Sequence, residues 1–334
     1  NSPNGKKYGF INLPGFNADF EDAKGRNASD DIKAELIKLK AQNVEGIILD
    51  LRNNGGGSLT EVVDIMGLFM KNGPVVQVKD GNGKIQVLKN KQNDPIWTGP
   101  LVIMQNELSA SASEILAGAM QDYGRAVIVG SPQSFGKGTV QTFVELNRFL
   151  NTSDDFGALK LTIQKFYRVN GKSTQLKGVE SDIPMKDIFT YEEIGERYDN
   201  YALPWDQVST SGFVPLNTLN MSNLVNNSAK RLTQNKNYQL LLESAQWKEK
   251  LDKEEKVTLN LKEFESLMKA RKEQIEKFKS LIKFNNGLNF TLHADEAKRG
   301  KTDEVFAKKS ENWLKNLKRD IYLQETVNII SEMK

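Results

Sequence analysis

The sequence predicts a mixed α/β core followed by a mostly α-helical C-terminal domain. Three observations carry this. Strand-like and helix-like runs alternate through residues 1–205, the pattern of a largely parallel sheet covered by helices. A buried-looking strand runs straight into Gly55-Gly56-Gly57. After about Trp205 the composition turns to Lys, Glu, Asn and Leu in long amphipathic stretches, which reads as residues 206–334 forming a separate helical domain. A length of 334 residues suits two domains, at roughly 150 residues each.

Each element has its own signal. Tyr8-Gly-Phe-Ile-Asn-Leu is a short apolar run closed by Pro14, suited to a strand. Ser29 is placed to cap a helix carrying Ile32, Leu36 and Leu39 at helical spacing. Val44-Glu-Gly-Ile-Ile-Leu-Asp-Leu is nearly continuous and apolar, as in strands covered on both faces. Beyond the glycines, Val62, Ile65, Met66 and Phe69 mark a second helix. Strand-like runs recur at Pro74-Val-Val-Gln-Val, Leu101-Val-Ile-Met and Ala126-Val-Ile-Val. In the C-terminal half, Asn260 with Glu263 is a capping signal. Phe264, Leu267, Met268, Ile275, Phe278 and Ile282 then share one face, stopped at Asn285-Asn286-Gly287. A last helix includes Val327 and Ile330.

Composition narrows the chemistry. There is no cysteine and a single histidine, His293, so Cys nucleophiles, thiolate zinc sites, disulfides and multi-His metal centres are excluded. A nucleophile must then find its base among Lys, Asp and Glu, or use His293. With 46 Lys+Arg against 43 Asp+Glu the net charge is +3, which gives no strong attraction for nucleic acid. No apolar run approaches the ~18 residues of a membrane span. The polar start at residues 1–7 has no apolar signal core.

Three places could carry chemistry. Ser109-Ala-Ser-Ala-Ser-Glu follows directly on the strand Leu101-Val-Ile-Met, a junction that sets a hydroxyl at the carboxyl edge of a sheet and at a helix start. The plain reading of Ser111 with Glu114 is a capping box. In the sharper one, Ala110 and Ala112 leave room beside Ser111, and the Ala112 N–H faces a developing oxyanion. The second place is Gly136-Lys137-Gly138. It resembles the end of a phosphate-binding loop but fails that motif, because Gly138 stands where a hydroxyl residue is required and a strand follows. What survives is a lysine in a glycine turn, otherwise a solvated surface charge. The third is Leu51-Arg-Asn-Asn-Gly-Gly-Gly, where glycines permit the close approach an oxyanion hole needs, or merely form a flexible turn.

Taken together, serine, lysine and glycine loop resemble a Ser-Lys hydrolase constellation. The ordered strings Leu51-Arg-Asn-Asn-Gly-Gly-Gly, Ser109-Ala-Ser-Ala-Ser-Glu-Ile, Met120-Gln-Asp-Tyr-Gly-Arg-Ala, Phe135-Gly-Lys-Gly-Thr-Val-Gln, Ile163-Gln-Lys-Phe-Tyr-Arg-Val-Asn-Gly, Ala202-Leu-Pro-Trp-Asp and Glu325-Thr-Val-Asn-Ile resemble the carboxyl-terminal processing, or tail-specific, proteases of peptidase family S41. The nearest likeness is to the periplasmic members of Gram-negative bacteria. The resemblance implies a ClpP/crotonase-like core over 1–205, Ser111 as nucleophile and Lys137 as general base. It also implies Gln141 as the residue orienting that lysine, and Ala112 and Gly56 as oxyanion donors. Asp122 matches an aspartate assigned to the active site, but eleven residues into the helix it would lie about 16 Å along the axis, where support of the fold is the better expectation. A neutral Lys137 requires burial, expected among Phe135, the sheet and substrate, to lower a pKa of ~10.4. No metal or organic cofactor is implied. Implied partners are envelope proteins with apolar C-terminal tails and a helical-repeat lipoprotein adaptor. Relatives carry a PDZ domain that these residues do not supply, so the chain reads as a fragment or processed product. Ser181 stands where relatives commonly have proline. The alternatives are a scaffold that binds tails without cleaving them and an acyl-CoA enzyme of the related crotonase fold.

Overall fold

A computed structural model describes residues 5–19, 25–149, 154–216 and 219–333, and the backbone alone at position 148. Residues 1–4 of the polar start lie outside the described residues. The chain opens with β1 (Gly9–Asn12), α1 (Ala28–Ala41), β2 (Ile47–Asp50) and α2 (Leu59–Phe69), then β3 (Gly73–Asp80) and β4 (Ile85–Asn90). It continues with β5 (Leu101–Gln105), α3 (Ala112–Asp122), β6 (Val127–Gly130), β7 (Thr139–Glu145), β8 (Ala158–Tyr167) and β9 (Ile183–Pro184). Six helices close it: α4 (Met221–Gln234), α5 (Lys236–Asp252), α6 (Leu261–Ile282), α7 (Ala294–Arg299), α8 (Glu304–Lys318) and α9 (Ile321–Glu332).

Five strands form a parallel sheet in the order β1-β2-β5-β6-β9. Its central strands are buried throughout, because both faces are covered. Side chains alternate across a strand. Ile47, Leu49, Leu101, Ile103 and Ile128 therefore join α1, α2 and α3 in one core. Ile48, Val102, Met104, Val127 and Val129 point the other way, into a second core built with Leu224, Leu317, Leu323, Val327 and Ile330 of the C-terminal helices. The helical part thus supplies the second cover of the sheet.

Two expectations are corrected. Ser29 does not cap α1: the helix starts at Ala28 with Asn27 at the N-cap position, and the Ser29 N–H donates to Glu61 Oε2 at 2.7 Å. The Pro74 run is not a strand of the parallel sheet. As β3 it enters a second, antiparallel sheet in the order β4-β3-β8-β7, where β7 is an edge strand entered directly from Lys137. Asn260 does cap α6, its Oδ1 accepting from Lys262 N and Glu263 N. Beyond β9 the chain straps back across the core: Trp205 Nε1 donates to Ser173 O at 2.9 Å, Ser211 N to Val169 O at 2.9 Å and Leu216 N to Tyr123 O at 2.8 Å.

Candidate active site

Ser111 sits between β5 and α3 with φ 58° and ψ −111°, a conformation rare for a residue with a side chain and one that turns it sharply out of the helix start. The neighbouring serines are spent on structure. Ser109 Oγ donates to Leu51 O and Ser113 Oγ to Asn54 O, both at 2.8 Å. With Ala110 N bonded to Asn54 O at 3.0 Å, these bonds staple the serine turn to the glycine loop. Ser111 alone of the three lines the cleft.

Gly56 backs directly onto that turn. With φ 108°, a Cβ there would lie 2.9 Å from Ser111 Cβ and 3.1 Å from Ala112 N, so only glycine allows the approach. Ala112 opens α3, where the first amides have no partner within the helix. The Gly56 N–H, by contrast, donates to Asn54 Oδ1 at 2.9 Å.

Lys137 arrives from the other side on a turn through Gly136, whose φ is 94°. Gly138 N donates to Gln175 Oε1 at 2.8 Å and Thr174 Oγ1 to Lys137 O at 3.2 Å. The Lys137 Nζ lies 3.2 Å from Gln141 Oε1. Its pKa is lowered, first by burial and then by Lys160, against the pull of Glu196 and Glu114. Ser111, Ala112, Lys137 and Gln141 share a cleft of about 240 Å³ with Leu59, Ile115, Val140, Lys160 and Phe166. The apolar residues of the cleft that holds the lysine include Phe166 and Val140, whereas the expected Phe135 is not among its lining residues.

One buried group joins the two turns, and sequence reasoning gave it only a capping role. Glu114 Oε2 accepts from Ser111 N at 2.8 Å and Lys137 N at 2.9 Å; its Oε1 accepts from Ser134 Oγ at 2.6 Å and Gly136 N at 2.7 Å. The side chain is wholly buried, and burial pushes its carboxyl up to about 7 against the pull of these donors. The signal was present in Ser-x-x-Glu, but nothing local said that the glutamate reaches a turn more than twenty residues onward.

Asp122 does not reach the cleft. At the far end of α3 its carboxylate is held by Arg168 Nε at 3.0 Å and Asn170 Nδ2 at 2.8 Å. His293 is the N-cap of α7, its Nδ1 accepting from Asp295 N at 3.3 Å. Arg52, next to the glycine loop, pairs with Asp50 and with Asp320 at 2.7 Å each, linking the loop to the start of α9. Ser181 N donates to Pro132 O at 3.1 Å, a bond that proline could not make.

The family model described as Peptidase family S41 matches residues 7–185, more than half of the chain. The chain belongs to peptidase family S41. A second model, the C-terminal domain of tail specific protease, matches residues 189–334 of this S41 chain. The tail-specific protease of Haemophilus influenzae is 44% identical over 224 residues, covering 66% of the S41 chain and 31% of that relative. The carboxy-terminal-processing protease of Bartonella bacilliformis is 34% identical over 185 residues, covering 55% and 39%. The S41 chain thus spans about a third of the length of these curated relatives. A solved structure titled photosystem II D1 C-terminal processing protease is 29% identical with a TM-score of 0.46, covering 54% of this chain and 42% of that one.

Proposed function

We propose that this chain carries the catalytic part of a serine endopeptidase that uses a Ser111–Lys137 dyad on proteins with apolar C-terminal tails. One observation supports this above the others: a strained serine and a half-buried lysine of lowered pKa face one cleft, their backbones tied to a single buried carboxylate.

Neutral Lys137 accepts the Ser111 hydroxyl proton as Oγ attacks the scissile carbonyl carbon. Gln141 takes one Lys137 N–H and leaves the nitrogen lone pair for the serine. The carbonyl oxygen, now an oxyanion, is held by the Ala112 N–H and by the Gly56 N–H once that turns from Asn54. The intermediate collapses to an acyl-enzyme, and the lysine ammonium returns its proton to the departing amine. Water then loses a proton to Lys137 and attacks the ester, and the lysine ammonium passes that proton to Ser111 Oγ as the acyl–oxygen bond breaks, which frees the new carboxyl end and restores Ser111 and neutral Lys137. In this reading residues 1–205 form the protease core, residues 206–334 form the helical domain, and no metal or cofactor takes part. The setting is the periplasm of a Gram-negative bacterium, and a helical-repeat lipoprotein serves as adaptor. Among the described residues, no helix is long and apolar enough to cross a membrane.

The second reading is a scaffold that binds tails without turnover. What favours it is that Lys137 Nζ is bonded to Gln141 and Gly56 N–H to Asn54. Incubation with a protein ending in an apolar tail separates the two. The dyad predicts cleavage, labelling of Ser111 by a serine-directed phosphonate, and a loss of at least about a thousandfold in Ser111→Ala and Lys137→Ala. No labelling and no cleavage, even with the upstream region of a relative restored, decides for the scaffold.

A further inference from the structure

Three buried polar groups that the dyad chemistry does not use meet at the carboxyl edge of the parallel sheet. Glu107 lies between β5 and the serine turn, Ser131 follows β6 on the way to Lys137, and Asp187 follows β9 where the chain leaves for the helical part. All three are at least nine-tenths buried. Ser131 Oγ lies 2.5 Å from Glu107 Oε2 and 2.9 Å from Asp187 Oδ2, and the two carboxyls are also hydrogen-bond neighbours of each other. Asp187 Oδ1 in turn accepts from Phe189 N at 2.8 Å. One cluster thus ties both catalytic turns to the entry of the helical part.

Its hydrogens are too few unless one acid keeps its proton. Ionised carboxylates only accept, and a hydroxyl donates once. Ser131 therefore serves one carboxylate, and its contact with the other closes only when a carboxyl O–H donates. Burial first, and then the charge of Asp187, push Glu107 up to about 7 against the pull of the Ser131 bond. No cation stands in for the proton. Arg197 faces Glu107 but bonds Ser134 O at 2.9 Å, and among the described residues it forms no ion pair with Glu107. Tyr238 and Tyr322 face Asp187, and Lys186 beside it in the chain is exposed. Arg52 shares a cavity with Asp187, Ser131 and Asp50 and is already paired with Asp50 and Asp320. Two carboxylate ions side by side in this poorly hydrated place repel each other.

We propose that Glu107, Ser131 and Asp187 form a clamp that positions the serine and lysine turns against the start of the helical part, closed while it holds a proton and open once the proton is lost. The proton leaves to water in the cavity of about 450 Å³ that Ser131 and Asp187 line. Lys137 gains its lone pair as pH rises, so the clamp blunts that rise above neutral pH.

Glu107→Gln puts an amide N–H where the proton sits and keeps the clamp closed at every pH. Asp187→Asn does so from the other side, and carries the same comparisons if Glu107→Gln does not fold. Denaturant melts compare variant and parent, and the titration of Glu114, common to both, drops out of the ratio. With Glu107 raised from 4.5 to about 7, the proton stabilises the fold fully below about 4.5 and not above about 7. The unfolding constant of the parent relative to the variant should therefore rise at least about tenfold between about pH 5 and 7. Amide exchange, corrected for its intrinsic rate, reads the turns directly. From about pH 6 to 8, residues 107–111 and 131–137 lose at least about fivefold of their protection in the parent and keep it in the variant. Phosphonate labelling of Ser111, the one arm that rests on the endopeptidase reading, is equal at about pH 6 and at least about threefold faster in the variant at about pH 8. A ratio of unfolding constants that stays flat overturns the proposal. So does a rising ratio with unchanged exchange at the turns, because the proton then positions nothing. Labelling whose ratio ignores pH overturns the role in the reaction. Absence of labelling in both proteins sinks the endopeptidase reading instead, and melts and exchange still decide the clamp.

Discussion

At the scale of single residues, two titrations set the pH behaviour of the proposed dyad. Lys137 acts only when neutral, and burial holds its pKa below the ordinary lysine range. Activity therefore rises with pH, with a midpoint below ~10.4. Glu114 acts in the same direction. As a carboxylate it has acceptors for all four donors, and as pH falls through about 7 it takes up a proton and loses acceptor capacity. A kcat/KM profile that climbs from acid through neutral pH is the expected result, and a flat profile contradicts both roles. The stability linkage has the opposite sign. The folded pKa of Glu114 is raised above its ordinary 4.5, so its contribution is full below about 4.5 and is lost as pH rises through about 7. Glu114→Gln puts an amide N–H against a donor. Unfolding free energy should fall by about 1–3 kcal/mol and kcat by at least about tenfold, while KM changes little because the carboxylate faces the turns and not the substrate. Denaturant melts and steady-state kinetics read the two effects separately.

At the scale of elements, α3 has a functional end and a structural end. Its first residue adjoins the nucleophile and its last, Asp122, holds Arg168 and Asn170 beyond β8. The Asp122 side chain is buried, so breaking this pair in Asp122→Asn should cost about 3 kcal/mol of stability. Turnover per folded molecule should stay within about twofold, and a selective fall in kcat without a lowered melting point would restore Asp122 to the chemistry. Much of this was legible in advance: β2, β5, β6, α3 and α6 lie where apolar runs and caps placed them, and Ser111 sits where a strand meets a helix. The strands β3 and β7 were legible as the Pro74 run and the run after Gly138, but their antiparallel sheet was not. β8 stays exposed along much of its length, and the pairing of β3 with β8 joins segments far apart in the chain, which no local pattern encodes.

At the scale of the whole molecule, the helical part completes the fold. Ile48, Val102, Met104, Val127 and Val129 are buried against its side chains. At about 1.5–3 kcal/mol per fully buried side chain, exposing them costs roughly the 5–15 kcal/mol by which a domain is stable. Residues 1–205 expressed alone should be insoluble or lack a cooperative melt, although their sequence bears the marks of a domain. A soluble, cooperatively folding 1–205 segment would show that the second cover is dispensable. The Arg52–Asp320 pair carries the same coupling to within three residues of the glycine loop.

By itself the sequence determined the alternation of elements, the absence of cysteine and multi-histidine chemistry, and the three strings on which family and candidate dyad rest. These are local properties of composition, spacing and backbone preference. Only the tertiary structure decided that Glu114 joins the serine turn to the lysine turn, that Phe166 and not Phe135 lines the cleft, and that Arg125 is buried on main-chain carbonyls. It also showed that the C-terminal helices close the back of the sheet. Each depends on which distant residues share a low-dielectric space, and that follows from packing, not from order along the chain.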